Sequence, residues 1–323
     1  MKNRIIILGA IVLVLVLGWT GAWYFFAGQL RQQVEALALS DGENQPQLTC
    51  QNLAIGGFPF RFDLECTDAA IVSGDVLVEL PALQVSAMAY RPNHVLASAI
   101  GPARISDAFT GMRQELAWDS IEASLRVESW RIARVSIVGN ALAWTDTLFG
   151  NRPIASSPVV ELHLLDIPEQ HDAEAGRAAL ALFMRAQDAE APGIELAPTN
   201  AEIEAEITAL PDDIRNWGAL PFLPDWQQAG GRLVLTGIRA NDGVADLSAS
   251  GELSLDSQGY PTGAIAIDSL GVADRIGPLI EEPWRTLVLG VPGADGRHMN
   301  QLTFAGGGMS SGLVPITALP SLF

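Results

Sequence analysis

The chain has 323 residues, 49% of them hydrophobic, which is enough for a sizeable core and argues against a disordered tail. Its formal net charge is −18, which argues against binding nucleic acid, because that affinity comes mostly from cationic contacts to phosphate. Lys2 is the only lysine, so no lysine beyond the first residues can form a Schiff base or serve a phosphate loop.

An apolar stretch without a charged residue runs from Ile5 to Ala27. As a helix it spans roughly 34 Å, against about 30 Å for the hydrocarbon core of a bilayer. Lys2 and Arg4 precede it, so the positive-inside rule keeps the start of the chain in the cytoplasm and sends the rest outward. A cleaved signal peptide is the alternative, but its apolar region would have only about 7–15 residues. The sequence therefore predicts a single-pass anchor that is not cleaved.

Three parts follow from this topology. They are a cytoplasmic tip and transmembrane anchor at residues 1–28, a juxtamembrane helix and linker at 29–46, and a β-rich domain at 47–323. The pentapeptide Ile-Thr-Ala-Leu-Pro occurs at 207–211 and again at 316–320. This repeat suggests two related halves, near 47–211 and 212–323.

Cys50 and Cys66 are the only cysteines, and turn-forming Gly56-Gly57-Phe58-Pro59 lies between them. An exported hairpin joined by a Cys50–Cys66 disulfide fits this spacing; a redox pair would usually have Cys-x-x-Cys spacing. One detail fits badly. With the two cysteines opposite each other, Leu53 and Ile55 share a face with charged residues, so the hairpin needs a bulge or has both faces partly buried.

The remaining chain alternates between strand and helix signals. Residues 69–167 contain many short apolar runs broken by prolines, which predicts strands. Residues 171–188 are rich in Ala, Leu, Arg and Met, which predicts a helix. Residues 199–210 favour a helix by composition, but their period of two predicts a strand. Residues 270–289 are predicted to be mostly helical.

A candidate apolar groove follows from the strictest alternation in the chain, at residues 246–256. A strand there has one dry and one wet face, and residues 199–210 repeat the pattern. The predicted groove residues are Leu247, Ala249, Leu253, Leu255, Ile203 and Ile207.

Motifs for chemistry are missing from the sequence. None of the four histidines has metal-ligand spacing, and no nucleophile elbow, phosphate loop or dinucleotide fingerprint occurs. The sequence therefore predicts no catalytic residue, no metal, no cofactor and no enzymatic activity.

The anchor, the Gly-Phe-Pro-Phe hairpin between the cysteines and the Gly-rich, Leu-Pro tail together resemble a family of bacterial envelope proteins catalogued as domain of unknown function 2125. The stretch Ala249–Gly263 is also similar to the C-terminal part of AsmA-like envelope proteins. That superfamily has long curved sheets with an apolar inner face and is implicated in phospholipid transport. The resemblance implies a lipid-related role in the bacterial envelope. With the predicted topology, it implies an anchor in the bacterial inner membrane and a C-terminal domain in the periplasm.

The expected fold is mainly β, with an N-terminal transmembrane helix, long curved antiparallel sheets and a few accessory helices. Two functions remain open. The domain could bind or pass phospholipid at the inner membrane, or it could be a non-enzymatic scaffold for another envelope protein. An apolar groove that a ligand can reach favours the first function, and a filled core favours the second.

Overall fold

The computed structural model describes residues 2–43, 45–194, 196–217, 221–276 and 280–323. Within these residues it is mainly β, with seventeen strands in an antiparallel sheet, one long apolar helix at the start and three short α-helices later. The predicted fold class is confirmed. The chain divides into two compact units, residues 1–124 with 145–152, and residues 125–144 with 153–323.

The elements in chain order are α1 (Lys2–Leu37), β1 (Gln47–Gly56), β2 (Arg61–Ser73), β3 (Val76–Met88), β4 (Arg91–Ile100), β5 (Ala103–Asp107), β6 (Arg113–Ala117), β7 (Ser120–Glu128), β8 (Arg131–Asp146), β9 (Arg152–Asp166), β10 (Arg177–Ala191), β11 (Leu196–Pro211), α2 (Phe222–Gln228), β12 (Arg232–Asn241), β13 (Asp246–Leu255), β14 (Pro261–Leu270), α3 (Val272–Ile276), α4 (Trp284–Leu289), β15 (His298–Ala305), β16 (Gly308–Ser311) and β17 (Val314–Ala318). Short 3₁₀ turns occupy Pro168–Gln170, Pro192–Ile194 and Ile214–Asn216.

Helix α1 continues the apolar stretch without a break into the predicted juxtamembrane helix, as far as Leu37. Its most apolar 18-residue window has a mean hydropathy of 2.6, and none of that window is buried. Among the described residues, α1 alone has the length and composition of a membrane-crossing helix, which is compatible with a membrane span or a signal anchor. Its second half behaves differently, because Trp23 and Ala27, four residues apart, are both buried.

The first unit is built around β2 and β3. Strand β2 pairs with β1 on one side and with β3 on the other. Strand β3 then pairs with β4 along one half and with β5 along the other half. A small apolar cluster of Cys66, Ala69, Leu80 and Ala103 forms its core.

The second unit contains a continuous meander. From β9 to β17 each strand pairs antiparallel with the next one in the chain. Its core cluster consists of Ile132, Leu180, Leu210 and Trp226. The strands predicted at 199–210 and 246–256 are confirmed as β11 and β13.

The helix predicted at residues 171–188 is wrong, because this segment leads into strand β10. Propensity favoured a helix, but β10 lies between β9 and β11 and pairs with both of them. Two sets of ladder hydrogen bonds outweigh the small helix preference of Ala, Leu and Arg. The helical prediction for 270–289 is partly confirmed by α3 and α4; residues 277–279 lie outside the described residues.

The predicted boundaries at residues 28 and 46 and the proposed related halves stay predictions. In the structure, α1 passes through residue 28 without interruption, and β1 begins at Gln47.

Candidate functional site: an apolar sheet face

Strands β9 to β15 share one apolar face. Residues directly opposite each other on paired strands point to the same side of a sheet, so the strand registers define rows that cross the unit. One row is Leu164, Leu182, Ala205, Leu235, Gly251, Ile265 and Leu302. The neighbouring row is Leu162, Met184, Ile203, Ile238, Ala249 and Ile267. We call these two rows the apolar face.

A β-bulge in β12 keeps these rows in line. Leu235 pairs with Gly251, whereas Ile238 pairs with Ala249, so β12 uses one more residue than β13 over this stretch. The same extra residue appears against β11. Because a bulge adds one residue to one strand only, both Leu235 and Ile238 end on the apolar side.

The opposite face of the same strands is polar and carries ion pairs. Arg185 lies 3.2 Å from Glu161, and Arg239 donates a 3.0 Å hydrogen bond to Glu204. This hydrogen bond, with the negative charge of Glu204, raises the pKa of Arg239. The face that carries these ion pairs suits contact with water, whereas the apolar face does not.

The row from Leu162 to Ile267 is half-buried at every position, so it is neither sealed nor open to bulk water. The ends of the face are better covered. Helix α2 places Trp226 against Leu180 and Leu210, and the indole nitrogen of Trp226 donates to the Thr208 carbonyl at 2.7 Å.

At the β15 edge, helix α4 provides a second cover. The side-chain amide of Asn300 donates to the carbonyls of Leu287 and Val288, at 2.8 and 2.9 Å. Asn300 lies opposite Ile267, at the end of the half-buried row. Two helices thus close the margins, and the centre of the row is left between them.

All six predicted groove residues lie on this side of the sheet. Ile203 and Ala249 lie in the row from Leu162 to Ile267. Leu247 and Leu253 lie on either side of Ala249 along β13. The other two, Ile207 and Leu255, pack against the cluster that contains Trp226, so that end is filled. Their role as ligand contacts stays a prediction.

Sequence reasoning missed the contributions of β9, β10, β12 and β14. The strongest missed signal is in β10, where Leu180, Leu182 and Met184 alternate with Ala181 and Arg185. Phe183 on the polar side hid this period of two; its ring stacks on His163, with centroids 6.1 Å apart. His163 is a residue of strand β9.

Helix α2 is fixed by charged groups. Arg177 donates two hydrogen bonds to Asp225, at 2.6 and 3.0 Å. These bonds raise the pKa of Arg177 and lower the pKa of Asp225. The fork-to-fork geometry orients α2 at the start of β10.

A second polar chain lies in the same unit. Arg131 lies 2.9 Å from Asp166 and donates to Nδ1 of His171 at 2.8 Å. Because an arginine can only donate, Nδ1 accepts, and Nε2 carries the proton that faces Asp212 at 3.2 Å. This arrangement ties the 3₁₀ turn before β10 to the strand ends.

The predicted Cys50–Cys66 disulfide is present. The register expected for its hairpin is wrong, because Cys66 lies opposite Leu53 and Cys50 lies opposite Ala69. Ile55 therefore lies opposite Leu64 rather than beside the charged residues. Matching of apolar positions decides the register, and the disulfide joins positions that are not opposed.

Groups of His, Cys, Asp and Glu that could hold a metal do not occur within the described residues. The chemistry that the arrangement offers is a broad apolar surface with polar margins, which suits a ligand that is long and largely apolar.

Comparison with curated proteins and with solved structures gave no match. The family model described as "Uncharacterized protein conserved in bacteria (DUF2125)" matches residues 23–320. This match includes the second half of α1, the disulfide hairpin and the strands from β1 to β17. The chain therefore belongs to the bacterial DUF2125 family.

Proposed function

We propose that this protein is anchored in the bacterial inner membrane by α1 and binds or passes phospholipid in the periplasm along the apolar face. It acts as a lipid-binding protein and not as an enzyme. The observation that carries the proposal is the half-buried state of the row from Leu162 to Ile267 in a sheet whose other face is charged. A ligand-binding surface needs apolar groups that are sheltered yet reachable.

The dimensions of the apolar face suit acyl chains. Its seven strands are separated by six spacings of about 4.8 Å, so the face is about 29 Å across. This is about the thickness of both acyl layers of a bilayer, so a single acyl chain fits within it. The rows carry Leu, Ile, Met, Ala and one Gly, whose side chains form no hydrogen bonds, so the face would accept chains of varied length.

Two further observations support an envelope location. The Cys50–Cys66 disulfide fits an oxidising compartment such as the periplasm. The Ala249–Gly263 stretch, which resembles AsmA-like lipid-transport proteins, forms most of β13 and the start of β14.

Ala249 and Ser250 provide a matched pair for the test, because they are adjacent on β13 and point to opposite faces. Ala249 lies between Ile238 and Ile267, whereas Ser250 is exposed opposite Ala266. We expect the full-length wild-type protein to retain phospholipid in mild detergent and Ala249→Asp to lose it, because a carboxylate on an apolar face repels acyl chains. Ser250→Asp should retain lipid at the wild-type level.

Native mass spectrometry counts the retained lipid, and a melting curve on the same sample reports folding. A folded Ala249→Asp protein with undiminished lipid would contradict the proposal. An Ala249→Asp protein that fails to fold would instead favour the alternative function, a scaffold with a filled core that binds another envelope protein. The filled end at Ile207 and Leu255 is the observation that supports this alternative.

A further inference from the structure

The tip of the β1–β2 hairpin is attached to the apolar half of α1. The indole nitrogen of Trp19 donates to the carbonyl of Pro59 at 2.9 Å, and that of Trp23 donates to the carbonyl of Arg61 at 2.8 Å. Trp23 is buried, and its ring stacks on Phe62 with centroids 5.4 Å apart. The level of the tip along α1 is therefore fixed.

Helix α1 then continues beside β1. Arg31 donates to the carbonyl of Leu53 at 3.1 Å, and the side chain of Gln47 donates to the carbonyl of Ala38 at 2.8 Å. The segment from Trp19 to Ala38 thus lies along β1. The half of α1 before Trp19, which we call the free half, extends past the hairpin tip. Its apolar side chains are exposed from Ile5 to Leu17.

The free half of α1 is too short to cross a bilayer by itself. Trp19 comes fifteen residues after Arg4, which is about 22 Å of helix, against about 30 Å of hydrocarbon. Placing the tip in water would draw Arg4 into the apolar layer, which is costly for a charge. Arg4 can recover part of the difference by extending its side chain toward water. Helix tilt increases the length needed.

The hairpin tip has a composition that suits this depth. We define the tip patch as Phe58, Pro59, Phe60, Met88 and Tyr90, which border a shallow depression of about 440 Å³. Its side chains are exposed except for the half-buried Pro59, and the exposed fraction reaches 61% for Phe60 and 70% for Tyr90. No acidic residue belongs to it, although the chain as a whole is acidic. Exposed aromatic and apolar side chains of this kind favour the membrane interface.

The backbone carbonyl groups at the tip are hydrogen-bonded within the protein, which suits a medium with little water. The carbonyl of Phe60 accepts a 2.8 Å hydrogen bond from the amide of Ala89, and the carbonyl of Gly57 accepts one of 2.9 Å from the amide of Arg61. With the two bonds from α1, the carbonyls of three consecutive residues, 59 to 61, are satisfied. Unpaired backbone groups would be costly in the hydrocarbon region. The Arg61 side chain is paired with Asp63 at 2.8 Å.

We infer that the tip patch inserts among the phospholipid acyl chains of the leaflet at which α1 leaves the bilayer. This inference rests on the membrane anchoring in the proposed function. Insertion holds the first unit against the membrane at a fixed height, by two attachments instead of a single flexible tether. The exposed Arg91, which follows Tyr90, lies where it can meet a phosphate headgroup.

Single-cysteine labelling of the full chain tests the insertion. Both native cysteines are disulfide-bonded, so an introduced cysteine is the only free thiol. An environment-sensitive fluorophore is attached at Phe60→Cys, in vesicles of phosphatidylcholine and phosphatidylglycerol. Nitroxide lipids carry the quencher near the headgroup end of the acyl chain. At an insertion depth of about 5–10 Å, we expect loss of about half of the emission and shielding from an aqueous quencher.

Phe109→Cys is the matched control. Phe109 is 85% exposed, and its turn is hydrogen-bonded to Asp75 at the end of β2 that lies opposite the tip. Since β2 is 13 residues long, this position is about 40 Å away along the strand. We expect no lipid quenching there. Tyr90→Cys repeats the test at the tip if Phe60→Cys does not fold.

Val12→Cys, in the free half of α1, separates the two ways in which the test can fail. Quenching at Val12 with an aqueous signal at Phe60 and Tyr90 would overturn the insertion and leave the anchoring intact. Shielding of the tip from the aqueous quencher without any lipid quenching would also overturn it, in favour of a protein partner. Absence of quenching at Val12 by nitroxides placed near either end of the acyl chain would overturn the anchoring, and the insertion with it.

Discussion

The two apolar clusters of this protein are stabilised in different ways. In the first unit, the cluster around Cys66 contains small residues, Ala69 and Ala103, and a disulfide ties Cys66 to the neighbouring strand. In the second unit, the cluster around Leu180 has no disulfide and is covered by a short helix that brings in Trp226. A sheet with one apolar face must close its margins, and it can do so with a covalent bond or with a bulky side chain.

The difference has a consequence for stability. A disulfide acts mainly by restricting the unfolded chain, so its effect does not depend on close packing. A buried tryptophan acts through packing, so its effect depends on the space around it. Gly231 illustrates this, since a Cβ atom at that position would overlap the Trp226 ring. The first cluster should therefore be sensitive to reduction and the second to changes in side-chain volume.

Removal of the helical cover should have the largest effect. Trp226 is 8% exposed and packs in the second cluster, so Trp226→Ala should lower the free energy of unfolding by about 3–5 kcal/mol. Hydrogen exchange should rise in β10 and β11 and stay unchanged in β1 and β2. Trp284→Ala is the control, because Trp284 is 48% exposed. A uniform rise in exchange across both units would contradict the comparison.

Removal of the disulfide should have a somewhat smaller effect. The bond closes a loop with a sequence separation of 16, and replacing Cys50 and Cys66 with Ala should lower the free energy of unfolding by about 2–4 kcal/mol. Exchange should now rise in β1 and β2 and not in β10. Mass mapping without reduction checks that the bond exists in protein from its native compartment; free thiols there would remove the basis of the comparison.

Loss of the ion pair that orients α2 should have the smallest effect. Asp225→Asn removes two charge-assisted hydrogen bonds from a pair that is partly exposed, so we expect a loss of about 1–2 kcal/mol at neutral pH. Denaturant titrations of both proteins at several pH values measure this loss.

The pH dependence of that loss follows from the depressed pKa of Asp225, whose ordinary value is near 3.8. A carboxylate whose pKa is lower in the folded state contributes stability above its unfolded pKa, and loses it as pH falls through the folded pKa. The difference between wild type and Asp225→Asn should therefore be constant at neutral pH and shrink below about pH 4. A difference that persists in acid would show that the mutation acts through packing instead.

Sequence periodicity was sufficient to predict a strand where one face of that strand was uniformly apolar. Ile203, Ala205 and Ile207 alternate with glutamates, and β11 follows this period although its composition favours a helix. Periodicity was insufficient for β10, because Phe183 on the polar face stacks on His163 of β9 and so appears apolar out of turn. That contact joins residues twenty positions apart, and no local pattern contains it.

The register between paired strands could not be predicted from local sequence patterns either. Spacing alone placed Cys50 opposite Cys66, whereas the hairpin pairs Leu53 with Cys66. The bulge that aligns Leu235 and Ile238 also follows from pairing with two neighbours. A shift of one residue would turn every side chain to the other face, so the register is decided by the sum of contacts over the whole sheet.

By itself the sequence determined the apolar N-terminal helix, the mainly β fold, the disulfide partners and the polar and apolar sides of β11 and β13, because each depends on composition or on a short period. The tertiary structure decided which strands join those two in one face, which end of that face is filled, and at what level the hairpin tip meets α1. These features depend on residues far apart in the chain, such as Trp19 and Pro59, whose contact exists only after the backbone has folded.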